Sequence, residues 1–315
     1  MKDSESIPRW KGIPLSRMML GTVQFGMPYG VANRTGQPDY DSVVAIIRQA
    51  IDGGVNALDT AAAYGTSEEV LGRALKQLGV AEKLFIVTKI RPLTEEELAD
   101  PRLAAAAIEA SVHESRRRLQ LDLLPGVLFH RESDAVYGNV LIELRERGLL
   151  DFAGVSCGNF PGPAATFADS GLVSALQIPG NILDRRHQLS GIFTRASSLG
   201  IAVFLRSVYL QGLLVMPEAE IPSHLTEIIP CRNQLEAIAR DAGMPMAELA
   251  LRYMLSQPGI TSILTGVETV SQVQENLDMF ARGPLSPDLV ASVEKLSLLP
   301  PEYAITPTIW KPPAS

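Results

Sequence analysis

Residues 56–65 read Asn-Ala-Leu-Asp-Thr-Ala-Ala-Ala-Tyr-Gly, which sets the carboxylate of Asp59 shortly before the phenol of Tyr64. An acid and a phenol on one short loop suit proton transfer, provided a cation favours the phenolate. Lys89 follows the apolar run 84–88, and His130 follows Leu128-Phe129. A buried ammonium beside a phenol stabilises its ionised form, and a neighbouring carboxylate keeps that ammonium charged. An imidazole can donate a hydrogen bond to a substrate oxygen. Tyr64 then reads as the proton donor, Lys89 and Asp59 as the pair that tunes it, and His130 as the orienting group. Taken singly, each has a plainer explanation: a turn-capping Asp59, a half-buried Tyr64, a solvated Lys89, a core His130. The case for chemistry is that all four stand just past apolar runs. No side chain supplies a hydride, so reduction needs a separate electron source.

Those positions converge only if the runs are strands of one sheet. Strand-like runs at 18–25, 55–58, 84–88, 124–129, 152–155, 174–176, 201–205 and 261–264 alternate with helical patterns. The helical patterns lie at 41–52, 67–78, 103–119, 134–147, 189–199, 233–242 and 270–280, with others at 246–255 and 286–298. Thr66-Ser67-Glu68-Glu69 has the form of a capping box, and Gly53-Gly54, Gly79, Gly148, Gly171 and Gly200 mark helix ends. The alternation predicts an α/β fold, a single (β/α)8 TIM barrel domain over residues 1–315 with extra C-terminal helices and a tail. In such a barrel the strand-end residues share one rim, where barrel enzymes carry their active sites. An open doubly wound sheet with a second domain is the alternative, but no composition shift or linker divides the chain. The proline-bearing stretch 215–230 reads as a long loop over the active face. The tail 300–315, with Trp310, reads as folding back over the barrel mouth.

Composition narrows the partners. The 315 residues carry a net charge of −7 and no basic stretch longer than Arg116-Arg117-Arg118, which argues against nucleic acid and against anionic membrane surfaces. Two cysteines, Cys157 and Cys231, form neither a disulfide framework nor a metal cluster, so no metal is expected. Without a signal-like N-terminus or an apolar run of membrane-spanning length, the expected location is the cytoplasm. Monomer and homo-oligomer are equally open.

Several segments occur together and in order: Leu20-Gly21-Thr22, Leu58-Asp59-Thr60-Ala61 with Tyr64-Gly65, Thr88-Lys89, and Phe129-His130-Arg131. Gly154-Val155-Ser156, Gln211-Gly212-Leu213-Leu214, and Gln272 with Glu275-Asn276-Leu277 continue the series. Over nearly its whole length the chain resembles the aldo-keto reductase superfamily. The resemblance implies a (β/α)8 barrel that reduces aldehydes and ketones with NAD(P)H and without metal. It also implies Tyr64 as general acid, Lys89 and Asp59 as its tuning pair, and His130 as the carbonyl-orienting partner.

For the cofactor, the resemblance implies that Gly21 and Thr22 lie beneath the nicotinamide and that Ser156 and Gln177 hold its carboxamide. The family's Asn after that serine is missing, since the order here is Ser156-Cys157-Gly158-Asn159. Either Asn159 reaches in or one amide bond is lost. Ser207, Leu210 and Gly212 fall near the pyrophosphate, and Gly266, Glu268, Gln272, Glu275 and Asn276 match the adenosine end. Where the family commonly places Ser, Arg or Lys for a 2′-phosphate, this chain has Glu268. A carboxylate repels phosphate and accepts from ribose hydroxyls, so the family's NADPH preference is expected to weaken, toward NADH. The reading that competes with this one turns Glu268 to solvent.

Pocket candidates are Met27, Pro28, Tyr29, Arg91, Arg131 and Trp310. Arg91 and Arg131 allow an acidic or phosphorylated carbonyl compound, although rim arginines are more often plain surface residues. Two other functions stay open: a non-catalytic, cofactor-binding regulatory subunit on the same barrel, and a Schiff-base lyase or aldolase using Lys89.

Overall fold

Eight short apolar runs become the strands of a closed, all-parallel barrel. The computed structural model describes residues 9–33, 36–296 and 298–310. A two-stranded hairpin, β1 (Arg9–Trp10) and β2 (Ile13–Pro14), comes first. The barrel strands are β3 (Met18–Gly21), β4 (Ala57–Asp59), β5 (Phe85–Lys89), β6 (Leu124–Phe129), β7 (Leu150–Ser156), β8 (Ala175–Pro179), β9 (Ala202–Arg206) and β10 (Ser262–Gly266). They neighbour one another in chain order, and β10 closes on β3 through Ile263 opposite Met18. Strands covered on both faces need continuous apolar runs, and β3, β4 and β5 are buried at every residue.

Helices α1 (Tyr40–Asp52), α2 (Ser67–Leu78), α3 (Glu95–Ala99), α4 (Pro101–Leu119), α5 (Gly138–Glu146) and α6 (Pro161–Asp169) serve the first half of the barrel. The second half has α7 (Arg186–Leu189), α8 (Ile192–Ser198), α9 (Ile229–Asp241), α10 (Met246–Leu255), α11 (Val270–Ala281) and α12 (Pro287–Glu294). The main core lies between strands and helices. A separate cluster fills the barrel interior, where Met19, Phe85, Val87, Leu128, Phe204 and Leu264 pack together. Trp10 and Leu15 join it from the hairpin, and the Trp10 ring lies 4.6 Å from that of Phe152. The Trp10 indole N–H also donates to Gly200 O at 2.9 Å. The interior is therefore solid, and the hairpin covers the end away from the strand C-termini.

Several expectations change. The first strand stops at Gly21, and Val23–Phe25 is a 3-10 turn. The 134–147 pattern splits into a 3-10 turn, Glu132–Tyr137, and α5. The 189–199 pattern breaks at Gly191, whose φ of 74° ends one short helix and opens the next. The capping box at Thr66 does not form: the Thr66 hydroxyl accepts from Gln37 Nε2 at 3.5 Å, and Glu69 lies 3.8 Å from Arg118 Nε. A capping box does form at Thr94 with Glu97. The stretch 215–230 is not one open loop: two 3-10 turns, Glu218–Glu220 and Ser223–Ile228, lead into α9, and Leu225 and Ile228 are buried. The tail does return to the mouth as far as Thr308, which faces the cleft described below, whereas Trp310 bonds back to Tyr303 O at 2.9 Å. Residues 311–315 of that expectation lie outside the described residues. Among the described residues, no helix is long and apolar enough to cross a membrane.

Candidate active site

Asp59 and Lys89 are the last residues of the adjacent strands β4 and β5, so parallel pairing sets their side chains on the same rim. Lys89 Nζ donates to Asp59 Oδ1 at 2.7 Å and to Thr60 O at 2.8 Å. Gln177 Nε2, from β8, donates to the same Asp59 oxygen at 2.6 Å. The relative exposures are 0% for Lys89 and 2% for Asp59, so neither charge has water and each depends on the other. Burial pulls the lysine's pKa down, but Asp59 and then Tyr64 outweigh it, and the pKa stands above the ordinary value. A protonated, paired Lys89 is not the free amine that a Schiff base requires.

Lys89 Nζ lies 4.9 Å from the centre of the Tyr64 ring. On its other side Tyr64 meets the His130 ring edge-on, with centroids 5.6 Å apart. Burial, and then the positive charges of Lys89, Arg206 and Arg131, push the His130 pKa down to about 3. The imidazole is therefore neutral at physiological pH, with one N–H donor and one acceptor nitrogen. A phenol against a buried ammonium and a neutral imidazole beside it can together hold and protonate a carbonyl oxygen.

Backbone contacts fix the Tyr64 loop. Gly65 has φ of 55°, and a Cβ there would lie 2.3 Å from Gly26 O. A Cβ on Gly26 would fall 1.9 Å from Tyr64 O, so these two loops meet closely only as glycines. Ser67 Oγ sits 2.9 Å from Thr22 Oγ1 and 3.0 Å from Thr60 Oγ1, and Thr22 Oγ1 donates to Asp59 O at 2.8 Å. The Ser67 hydroxyl, one residue past the N-cap Thr66, ties the loops after β3 and β4 together.

Asp59, Tyr64 and His130 line one end of a cleft of about 630 Å³, with Lys89 buried behind them. Gln177 lies at this same end, bonded to Asp59; Gly21, Thr22, Ser156, Ser207 and Gly212 also line the cleft, and Gly266, Glu268, Gln272, Glu275 and Asn276 line it from the side of β10 and α11. Of the expected cofactor residues, Leu210 departs: it is buried in the main core, while its neighbour Tyr209 faces the cleft. Asn159 is not at the cleft either, since its amide donates to Asp184 Oδ2 at 3.1 Å. The segment 207–212 is strained, with Ser207 (φ 68°), Leu210 (φ 50°) and Gln211 (φ 54°) in the left-handed region. Gly212, at φ 92°, lets that segment press on Ala32, whose Cβ would lie 2.3 Å from any Cβ there. Tyr209 Oη donates to Asn276 Oδ1 at 2.9 Å, which joins the segment to α11. The Thr269 side chain caps α11 through Gln272 N, and Glu268 N donates to Gln272 Oε1 at 2.6 Å.

The sequence reading passed over Gln24, Tyr209, Arg206 and Thr308, which also line the cleft. Arg206 has a signal in the sequence: it directly follows the run 201–205 and ends β9, just as Lys89 follows 84–88 and ends β5.

A family model described as the aldo/keto reductase family matches residues 17–298. The chain is 28% identical to the aldo-keto reductase YhdN of Bacillus subtilis, over 84% of each chain. It is 27% identical to the L-galactose dehydrogenase of Arabidopsis thaliana, again over 84% of each. Among solved structures, the holo form of aldo-keto reductase AKR11C1 from Bacillus halodurans superposes with a TM-score of 0.75 at 23% identity. That superposition covers 93% of this chain and 96% of the other.

Proposed function

The chain belongs to the aldo/keto reductase family and is an NAD(P)H-dependent oxidoreductase; on that premise we propose that it reduces an aldehyde or ketone with Tyr64 as proton donor. The observation that carries this reading is the buried Asp59–Lys89 pair beneath a phenol that also meets a neutral His130. His130 orients the carbonyl oxygen through its N–H, and Tyr64 delivers the proton to that oxygen. Lys89 holds the phenol's negative charge once the proton has left, and Asp59 keeps Lys89 charged and in place. NAD(P)H, when bound, supplies the hydride that no side chain can.

The cleft suits that cofactor. Gln177 Oε1 is buried without a donor, while its amide nitrogen is held by Asp59; a nicotinamide carboxamide brings an N–H for that oxygen. Ser156 lies beside it in the cleft. At the other end Gly266, Gln272, Glu275 and Asn276 receive the adenosine, next to the N-terminus of α11. Glu268 at that end favours ribose hydroxyls over a 2′-phosphate, so NADH serves at least as well as NADPH.

Steady-state oxidation of NADH and NADPH with a panel of aldehydes tests the reaction, with Tyr64→Phe as the decisive variant. Its kcat is expected to fall by about 10²–10⁴-fold, the usual contribution of a general acid, with cofactor affinity retained. Near-normal turnover in Tyr64→Phe overturns the assignment. Tight cofactor binding with no turnover of any carbonyl by the wild type favours a regulatory subunit instead.

A further inference from the structure

Behind the rim that carries Tyr64 and Lys89, Glu68 is buried to 1% exposure in the first turn of α2, shortly after Tyr64 in the chain. Its Oε1 accepts from Thr88 Oγ1 at 2.6 Å, and Thr88 directly precedes Lys89 in β5. One side-chain bond thus joins the element that follows the phenol to the strand that carries the ammonium. Backbone bonds run beside it. Ser67 N donates to Tyr64 O at 3.0 Å, and Ala62 N donates to Lys89 O at 3.0 Å. From the other side α2 presses on α4, where a Cβ on Gly72 would strike Arg118 O.

A carboxyl fills that space at a desolvation penalty. Glu68 Oε2 has no hydrogen-bond partner among the described residues, and Arg118 Nη1 stands 3.7 Å away. Arg118 is itself bonded through Nε to Glu114 at 2.7 Å. Burial raises the Glu68 pKa above the ordinary value against the pull of Thr88, Ser115 and Arg118, and Glu114 adds to the rise. An apolar side chain would fill the same gap without that penalty. What it could not do is accept from Thr88 and hold α2 to the end of β5.

We propose that Glu68 positions the proton donor: through its bond to Thr88 it keeps the Tyr64 phenol against the Lys89 ammonium. Glu68 does not line the cleft, so it acts only through these two residues. The proposal rests on Tyr64 being the general acid. Lys89 Nζ lies 4.9 Å from the centre of the Tyr64 ring, and in a buried site a small retreat of the loop weakens that attraction. His130 and Tyr29 also face the phenol, and Asp59 acts on it through Lys89.

Glu68→Ala and Thr88→Val cut the bond from opposite sides, whereas Glu68→Gln keeps an oxygen that accepts it. The measurements are pH profiles of kcat for an aldehyde, with KM and with NAD(P)H affinity by fluorescence titration. Glu68→Ala is expected to lower kcat by about 10–100-fold, with KM and cofactor affinity within about twofold of wild type. A phenol farther from the ammonium holds its proton more tightly, and reduction needs that proton. The alkaline limb of the kcat profile is therefore expected to move up by about half a pH unit or more. Thr88→Val is expected to behave alike, and the double variant to be no worse than Glu68→Ala, because one bond is lost in each. Glu68→Gln is expected to keep most of kcat and the wild-type profile.

A lower melting temperature in Glu68→Ala with kcat and its pH profile unchanged overturns the proposal. So does a fall in kcat without the shift of the alkaline limb, or a Glu68→Gln variant as impaired as Glu68→Ala. If Glu68→Ala does not fold, Thr88→Val decides by the same measures. Near-normal turnover in Tyr64→Phe is the separate result that removes the proton donor and this role with it.

Discussion

The two ends of the cleft are built by different means. At the carbonyl end, residues at the ends of β4, β5, β6 and β8 converge, and the Asp59–Lys89 pair is held by Gln177 and by Thr60 O inside the core. At the adenosine end a strained loop and the start of a helix do the work, and Gly266 and Glu275 are exposed while Glu268 and Gln272 are half-buried. Buried charges depend on one another, so the first end tolerates few changes. Most groups at the second end contact water already, Asn276 excepted, so a single substitution there is expected to cost the fold little. On the proposed function, reaction type is lodged in the barrel and nucleotide preference in its periphery.

That contrast can be broken at several points. Lys89→Met leaves the Asp59 carboxylate buried without its cation and is expected to lower stability by about 3–5 kcal/mol, with turnover lost. Adding Asp59→Asn should restore part of that stability and none of the activity, as denaturant titration and kinetics would show; full stability in the single variant would mean the pair is not charged. Gly65→Val drives a Cβ against Gly26 O in a left-handed backbone. It is expected to cost about 1–3 kcal/mol and to lower kcat by displacing Tyr64, measured by thermal unfolding and by turnover.

At the adenosine end, Glu268→Lys should shift the NADPH/NADH affinity ratio toward NADPH by about tenfold, or 1.4 kcal/mol, with the melting temperature little changed. Wild-type affinity already more than about tenfold in favour of NADPH would sink the role given to Glu268. The smallest effect, taken per unit of pH, is the titration of His130. His130 titrates near 3 when folded and near 6.5 when unfolded, so between those values the unfolded chain binds the extra proton. Stability is then complete above 6.5 and falls as the pH drops toward 3, by about 1 kcal/mol over the first unit. His130→Gln should flatten that part of the stability–pH curve; an equal slope in both proteins would show that other groups produce it.

How much of this was legible in the chain depends on where the partners lie. The barrel could be read because strands covered on both faces must be apolar, and β6 was bounded at both ends. Asp59, Tyr64, Lys89 and His130 could be read because strand ends share a rim. Helix α6 could not, since Pro161–Asp169 buries only Ala164 and Ala168 and shows no strong stripe. The short hairpin at Arg9–Pro14 is too brief to have a period. The roles of Asn159 and Ser67 are not legible locally for another reason: their hydrogen bonds go to Asp184 and Thr22, partners far along the chain that no local pattern reveals.

The hairpin that covers the far end of the barrel has a kinetic consequence. With the interior solid and Trp10 lodged across that opening, the proposed nucleotide and carbonyl compound would share one cleft on the opposite rim. Two callers at one door must queue. On that reading, whichever lies deeper would have to arrive first and depart last, so architecture would set the order of addition and release before any affinity is considered.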